Sequence, residues 1–201
     1  MTKQKKLAVI LAGGLSSRMG KEKSFLRINQ QKYLIDHVID IIKPQVDMVA
    51  INANGDKARF SHTALTILPD DHLINHNVGP LLGVLTAMRW AKKMGGQTIL
   101  TLSCDCPQLP NDLYEKLAMA KQHHIIVVAK SFHQPHPTIA LWQVDMIDDL
   151  TTAIKNGVRK IDNFTANYKT TSVDFTTHRK IDDPFLNLNT PEEFQSWLMN
   201  I

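Results

Sequence analysis

Five consecutive apolar residues, Leu7, Ala8, Val9, Ile10 and Leu11, open the chain's hydrophobic pattern. An unbroken run of this length predicts a strand buried on both faces, as in a parallel sheet lying between helices. Residues 33–43 carry apolar positions at helical spacing and stop before Pro44, which predicts a helix covering that sheet. A second strand over 46–52 completes a βαβ alternation. The pattern continues with a short strand at 65–68, a helix over 80–94 with Pro80 at its first position, and a buried strand at 97–102. A helix at 109–121 and strands at 125–129 and 136–141 follow, the last read as a strand or strand edge after a proline-bearing loop. Two helical patterns fill 144–168, divided at Asn156 and Gly157, and a short strand occupies 171–175. Thr190, Pro191 and Glu193 have the spacing of a capping box that starts a closing helix. This alternation predicts an α/β fold: a mostly parallel, doubly wound, Rossmann-like sheet with helices on both faces. No repeat, low-complexity tract or linker interrupts it, so residues 1–201 are read as a single domain.

Composition narrows the classes. Apolar residues make up 43% and charged residues 21%, the balance of an ordinary globular protein. No apolar run is long enough for a bilayer and residues 1–6 lack the apolar stretch of a secretion signal, so a cytoplasmic protein with no membrane partner is expected. The net charge of +4 raises nucleic acid as a partner. The basic residues are scattered and aromatics few, which favours anionic small molecules instead. Cys104 and Cys106 lack the C-x-x-C spacing of a zinc site and are read as reduced. His123 and His124 fall in a connector and are read as surface residues.

The chemistry concentrates where apolar runs end. After Leu11 and Ala12 come Gly13 and Gly14, then Arg18, Gly20 and Lys23. Glycine backbone approaches a ligand closely, and successive N–H groups in such a turn make a concavity for anions. Neither G-x-x-x-x-G-K-[ST] nor G-x-G-x-x-G is present, which disfavours a P-loop ATPase and a dinucleotide dehydrogenase. Asn52 ends a strand, where ligands of parallel sheets bind, and its amide both donates and accepts. Asn54 with Gly55 reads as turn chemistry. Gly79 and Pro80 open a helix whose free N–H groups face any nearby anion, although such a start needs no ligand. Asp105 follows an apolar strand, where a divalent cation on a triphosphate would need a hard oxygen ligand. His136 reads equally as a donor to an anionic substrate or as a structural histidine. Asn187 and Asn189 are candidates for the same cleft, and Arg159 and Lys160 read as a solvated face.

The stretch Leu11-Ala12-Gly13-Gly14 through Ser16, Arg18, Met19, Gly20 and Lys23 resembles the loop of the molybdenum cofactor guanylyltransferases, in the MobA-like nucleotidyltransferase family. The resemblance extends through Asn52-Ala53-Asn54, Gly79-Pro80-Leu81-Leu82-Gly83, Cys104-Asp105-Cys106-Pro107 and the string from His136 to Leu141, ending at Phe185 to Glu193. Two departures stand in the loop: Glu22 where Asp is usual, and Lys21 where many relatives have glycine. The resemblance implies a nucleotide-diphospho-sugar-transferase-like fold, GTP as donor, molybdenum-bearing molybdopterin as acceptor and Mg²⁺ as cofactor. It implies Arg18, Lys23 and Asp105 as catalytic residues, with Asp105 also the metal ligand. Nucleotide contacts fall to Leu11, Ala12, Gly13, Gly14, Lys23, Asn52, Asp70, Gly79 and Asp105, and Asp71 is the neighbouring alternative to Asp70. Acceptor contacts fall to His136, Asn187 and Asn189. A monomer is expected, in transient contact with cofactor-biosynthesis or acceptor proteins. The alternatives are a cytidylyl- or uridylyltransferase acting on another phosphorylated acceptor, whose loops more often read L-A-A-G, and a cofactor-binding module without turnover.

Overall fold

A computed structural model of the chain describes residues 4–13, 23–71, 79–179 and 182–200. Among these, seven strands form one sheet in the order β3-β2-β1-β4-β6-β5-β7. They are β1 (Leu7–Leu11), β2 (Met48–Asn52), β3 (Thr66–Leu68), β4 (Thr98–Ser103), β5 (Ile126–Ser131), β6 (Gln134–Gln143) and β7 (Thr170–Asp174). The helices are α1 (Leu34–Ile42), α2 (Pro80–Lys93), α3 (Leu113–Lys121), α4 (Ile147–Lys155), α5 (Ile161–Thr165) and α6 (Pro191–Leu198). None is long and apolar enough to cross a membrane.

Each predicted strand and helix is present, with ends shifted by up to four residues. Along β1, Leu7 and Val9 enter one core and Ala8 and Ile10 the other, the outcome of two-residue alternation when both faces are covered. Helices α2, α4 and α5 close the first face, while α1 and α3 close the second. A third cluster, Leu34, Leu188, Phe194 and Trp197, docks α6 against the start of α1.

The sheet is mostly parallel: β1 pairs in parallel with β2 and β4, β2 with β3, and β5 with β7. The exception is β6, antiparallel to both β4 and β5. It returns from β5 through Phe132 and His133, whose φ values of 45° and 65° are both positive. Because β6 runs backwards, its N-terminal half reaches the sheet edge where β1, β2 and β4 end. Residues from Asn52, Ser103–Asp105 and His136 thereby share one rim.

Candidate active site

At that rim the chain makes two polar clusters, on either side of the end of β1. The first centres on Asp105, just beyond β4. Lys23 Nζ donates to Asp105 Oδ2 at 2.7 Å and to Asn189 Oδ1 at 2.6 Å. Ser103 Oγ donates to Asp105 Oδ1 at 2.5 Å. The Lys23 and Asp105 side chains are only 16% and 15% exposed, so solvent and salt screen the pair less than a surface ion pair. The ammonium sits on the carboxylate that the sequence assigned to a cation.

Residues 183–189 form a strap that holds this cluster. Leu188 N–H donates to the Asp105 carbonyl at 3.0 Å, and the Leu188 side chain is buried in the third core. Alternation along extended backbone then turns the exposed Asn187 and Asn189 the other way. Asn187 Oδ1 accepts from the Cys106 thiol at 2.9 Å. Neither cysteine is in a disulfide, and both are buried in the same core. Burial, reinforced by the Asp105 carboxylate, pushes the Cys106 thiol well above its ordinary value, so it is a structural donor and not a nucleophile. Asn189 is fixed from behind: its N–H and that of Thr190 both reach Glu193 Oε2, and Thr190 Oγ1 accepts from Glu193 N–H. The predicted capping box of α6 therefore also positions Asn189.

The second cluster joins the ends of β2 and β3. Asn52, 3% exposed, donates through Nδ2 to the Leu68 carbonyl at 3.0 Å and to Asp70 Oδ1 at 2.8 Å. Asn54 Nδ2 donates to Asp70 Oδ2 at 2.7 Å, and Asp70 N–H returns a bond to Asn54 Oδ1 at 2.9 Å. The structure thus separates the adjacent acids: Asp70 enters this cluster, whereas Asp71 pairs with Arg89 of α2. Asn54, expected only to turn the chain, holds Asp70 in place. Asn52 Oδ1 receives no donor among the described residues and points between two glycines. A Cβ on Gly13 would lie 3.7 Å from it, and one on Gly83 only 2.6 Å. Gly83 was missed as a site residue; its signal was a glycine inside a helix otherwise rich in Leu, Val and Ala.

Leu11 and Ala12 lead into this rim, their backbone tied to neighbouring strands by Cys104 N–H to Leu11 O at 3.2 Å and Ala12 N–H to Asn52 O at 2.9 Å. Gly79 caps α2 at φ 67°, and in the Cβ direction its neighbour is the Arg159 carbonyl, 3.6 Å away, not the Asp105 cluster. His136 belongs to a separate group: Nε2 lies 2.8 Å from Ser131 Oγ, which donates to Asp183 Oδ1 at 2.7 Å. Gly14 and Arg18 lie outside the described residues.

No group of three His, Cys, Asp or Glu side chains able to hold a metal exists among the described residues. The donor set at the rim, one carboxylate beside two amide oxygens, is nevertheless all hard oxygen. It suits a small divalent cation that arrives with phosphates and keeps most of its ligands from them.

A mostly parallel sheet whose first strand runs into Gly13, with a lysine and a carboxylate at its rim, defines an α/β fold of the nucleotide-handling class. Within that class the chain belongs to the MobA-like NTP transferase domain family, whose model matches residues 8–171. It is 41% identical over 191 residues to a molybdenum cofactor guanylyltransferase of Rhodopseudomonas palustris, covering 92% of this chain and 89% of that one. A protein of the same name from Rhizobium meliloti is 40% identical over 201 residues, covering 95% and 91%. Among solved structures, the molybdopterin-guanine dinucleotide biosynthesis protein A of Archaeoglobus fulgidus superposes with a TM-score of 0.75 at 22% identity, covering 97% of each chain.

Proposed function

We propose that this chain transfers GMP from GTP to molybdenum-bearing molybdopterin, forming the guanine dinucleotide cofactor and releasing pyrophosphate. The observation that carries the reading is the convergence of Lys23, Asp105 and Asn189 at the rim, beyond the end of β1, which leads on to Gly13. The relatives' names supply the guanosine and the acceptor. The terminal phosphate oxygen of the acceptor attacks the α-phosphorus, a new P–O bond forms, and the bond to pyrophosphate breaks. That nucleophile is already anionic near neutral pH, so the site needs no general base. Its task is to hold two anions in line and offset their repulsion.

Lys23, released from Asp105, places its charge on the transferring phosphates, and Arg18 adds a second. Asp105, with Asn187 and Asn189 beside it, would hold Mg²⁺, which when bound supplies charge neutralisation on the triphosphate. Leu11, Ala12, Gly13 and Gly14 line the phosphates with backbone, and Gly79 presents the start of α2 to the nucleotide. Asn52 and Asp70 meet the base: Asn52, Asn54 and, at 3.4 Å, Thr86 Oγ1 donate to the Asp70 carboxylate, which takes the ring N–H and exocyclic amine of guanine on the lone pair left on Oδ2 and on the one the long Thr86 contact gives up. His136 lies on the acceptor side. We infer a cytoplasmic monomer of one domain that hands its product to other proteins through transient contact.

Pyrophosphate release with metal-loaded molybdopterin, run in parallel with GTP, ATP, CTP and UTP, tests the reading. GTP alone should support turnover. Preference for CTP or UTP, or nucleotide binding without release, would overturn it. Lys23→Ala should lower turnover at saturating GTP and Mg²⁺ by about 10²–10³-fold, the cost of losing one donor to transition-state charge.

A further inference from the structure

The reaction above places His136 on the acceptor side without stating its chemistry, and the structure sets it in a partly buried polar group with Ser131 and Asp183. Ser131 ends β5 and is fully buried. His136 sits across from Ala129 in the β5–β6 pairing, past a break in register after Val128. Asp183 starts the strap that ends at Asn189. Its Oδ1 also accepts from Phe185 N–H at 3.0 Å, and its carbonyl accepts from Gln108 Nε2 at 2.9 Å, so its position is fixed from two sides.

A proton count decides how this group is wired. The Ser131 hydroxyl has one proton and two neighbours, and a carboxylate only accepts, so that proton goes to Asp183. The short contact from His136 to Ser131 Oγ then requires the imidazole to donate, which places its hydrogen on Nε2. Nδ1 is left with a lone pair. Among the described residues it takes no partner, and it is not cut off from solvent. The Phe185 ring, with its centroid 4.9 Å away, packs against the imidazole and limits its rotation. Burial lowers the His136 pKa below its ordinary value, the Asp183 charge opposing only in part, which keeps the ring neutral near pH 7.

We infer that Ser131 and Asp183 are positioning residues that hold His136 in its Nε2–H form, so that Nδ1 accepts a hydrogen bond from an N–H or O–H of the acceptor's ring system. His136 thus reads the heterocycle and not the phosphate, because a neutral ring offering a lone pair repels phosphate oxygens. The inference rests on the proposed placement of the acceptor beside His136. It differs from both sequence readings of His136, as a donor to an anionic substrate and as a structural histidine.

The form of the ring is measurable without turnover. In protein labelled with ¹⁵N-histidine, long-range proton–nitrogen correlation at pH 7.5 should show His136 with a pyrrole-type Nε2 and a pyridine-type Nδ1. Asp183→Ala frees the Ser131 hydroxyl to donate to the ring, and the two nitrogens should exchange character. Asp183→Asn keeps an oxygen for Ser131 and should retain the original pattern. Should Asp183→Ala not fold, Ser131→Ala removes the partner of Nε2–H and should give a mixture. In turnover, Asp183→Ala should raise the acceptor KM about five- to tenfold, the value of one hydrogen bond, with the GTP KM unchanged and Asp183→Asn near wild type. An Nδ1–H ring or an imidazolium in the unmodified protein overturns the inference, and so does an unchanged acceptor KM in Asp183→Ala. If the unmodified protein shows the stated ring form but transfers no GMP, the proposed function has failed and not the wiring.

Discussion

Replacing Gly83 with alanine sets two known effects against each other at a position where the outcome reports on Asn52. In an ordinary helix interior, alanine in place of glycine stabilises by about 1 kcal/mol. Here the added methyl would lie 2.6 Å from Asn52 Oδ1 and 3.0 Å from Leu11 Cδ2. Asn52 cannot simply swing away: its amide nitrogen is bonded to the Leu68 carbonyl and to Asp70, and rotating the group loses two bonds worth about 1 kcal/mol each. Moving α2 is no easier, since Leu81, Leu82, Val84 and Leu85 are all buried around the glycine. Overpacking of this kind costs about 1–3 kcal/mol, so the helix gain is cancelled or outweighed and the net loss reaches up to about 2 kcal/mol. In a chain of this size that lowers Tm by up to about 8 °C. The displaced amide should also weaken guanine nucleotide binding, so thermal denaturation and a GTP titration are read on the same sample. A variant with raised Tm and unchanged GTP affinity would refute the account of why glycine stands there.

Three further outcomes follow from the same geometry. Thr190→Ala removes the side-chain half of the α6 capping box and should cost about 1 kcal/mol in urea denaturation, with a larger proportional loss of turnover because Asn189 is loosened. His37, whose Nε2–H donates to the Pro107 carbonyl at 2.9 Å, and His136 both have pKa values lowered below 6.5 by burial. The unfolded chain therefore binds more protons in the window from about pH 6.5 down to the folded values, so urea midpoints should fall as pH drops through it and stay level above it. His37→Gln with His136→Gln should flatten that slope. Finally, both thiols should resist alkylation in the native protein at pH 7.5 and react on unfolding, since Cys104 and Cys106 are 7% and 1% exposed. Rapid native labelling of Cys106 would contradict its burial.

Most of the fold was legible because local pattern and tertiary environment agree. The run Leu7–Leu11 is buried on both faces as its composition demands, and Thr190 with Glu193 forms the box its spacing announces. The reversal at β6 was not legible. A two-residue hairpin turn with positive φ at both positions normally announces itself as Asn-Gly, and here it is made by Phe132 and His133. The site divides in the same way. Asn52, Asp105 and Lys23 lie at strand ends or on the glycine loop, where chemistry is expected, and the structure brings Lys23 to Asp105. Ser131, Asp183, Asn54 and Gly83 act through partners far away in sequence, and nothing in their own neighbourhoods separates a serine ending a strand or an acid before a proline from ordinary surface residues. The choice between Asp70 and Asp71 was likewise a matter of which carboxylate faces Asn54 and which faces Arg89.

The bond between Lys23 and Asn189 spans 166 positions along the chain, and the Asn189 backbone is itself secured by Glu193. A nascent polypeptide can lay down the central strands and the cluster of Asn52, Asn54 and Asp70, yet Lys23 has no Asn189 amide to rest on until the closing helix has been made and docked. The contact that fixes this ammonium is therefore among the last to form as the chain leaves the ribosome.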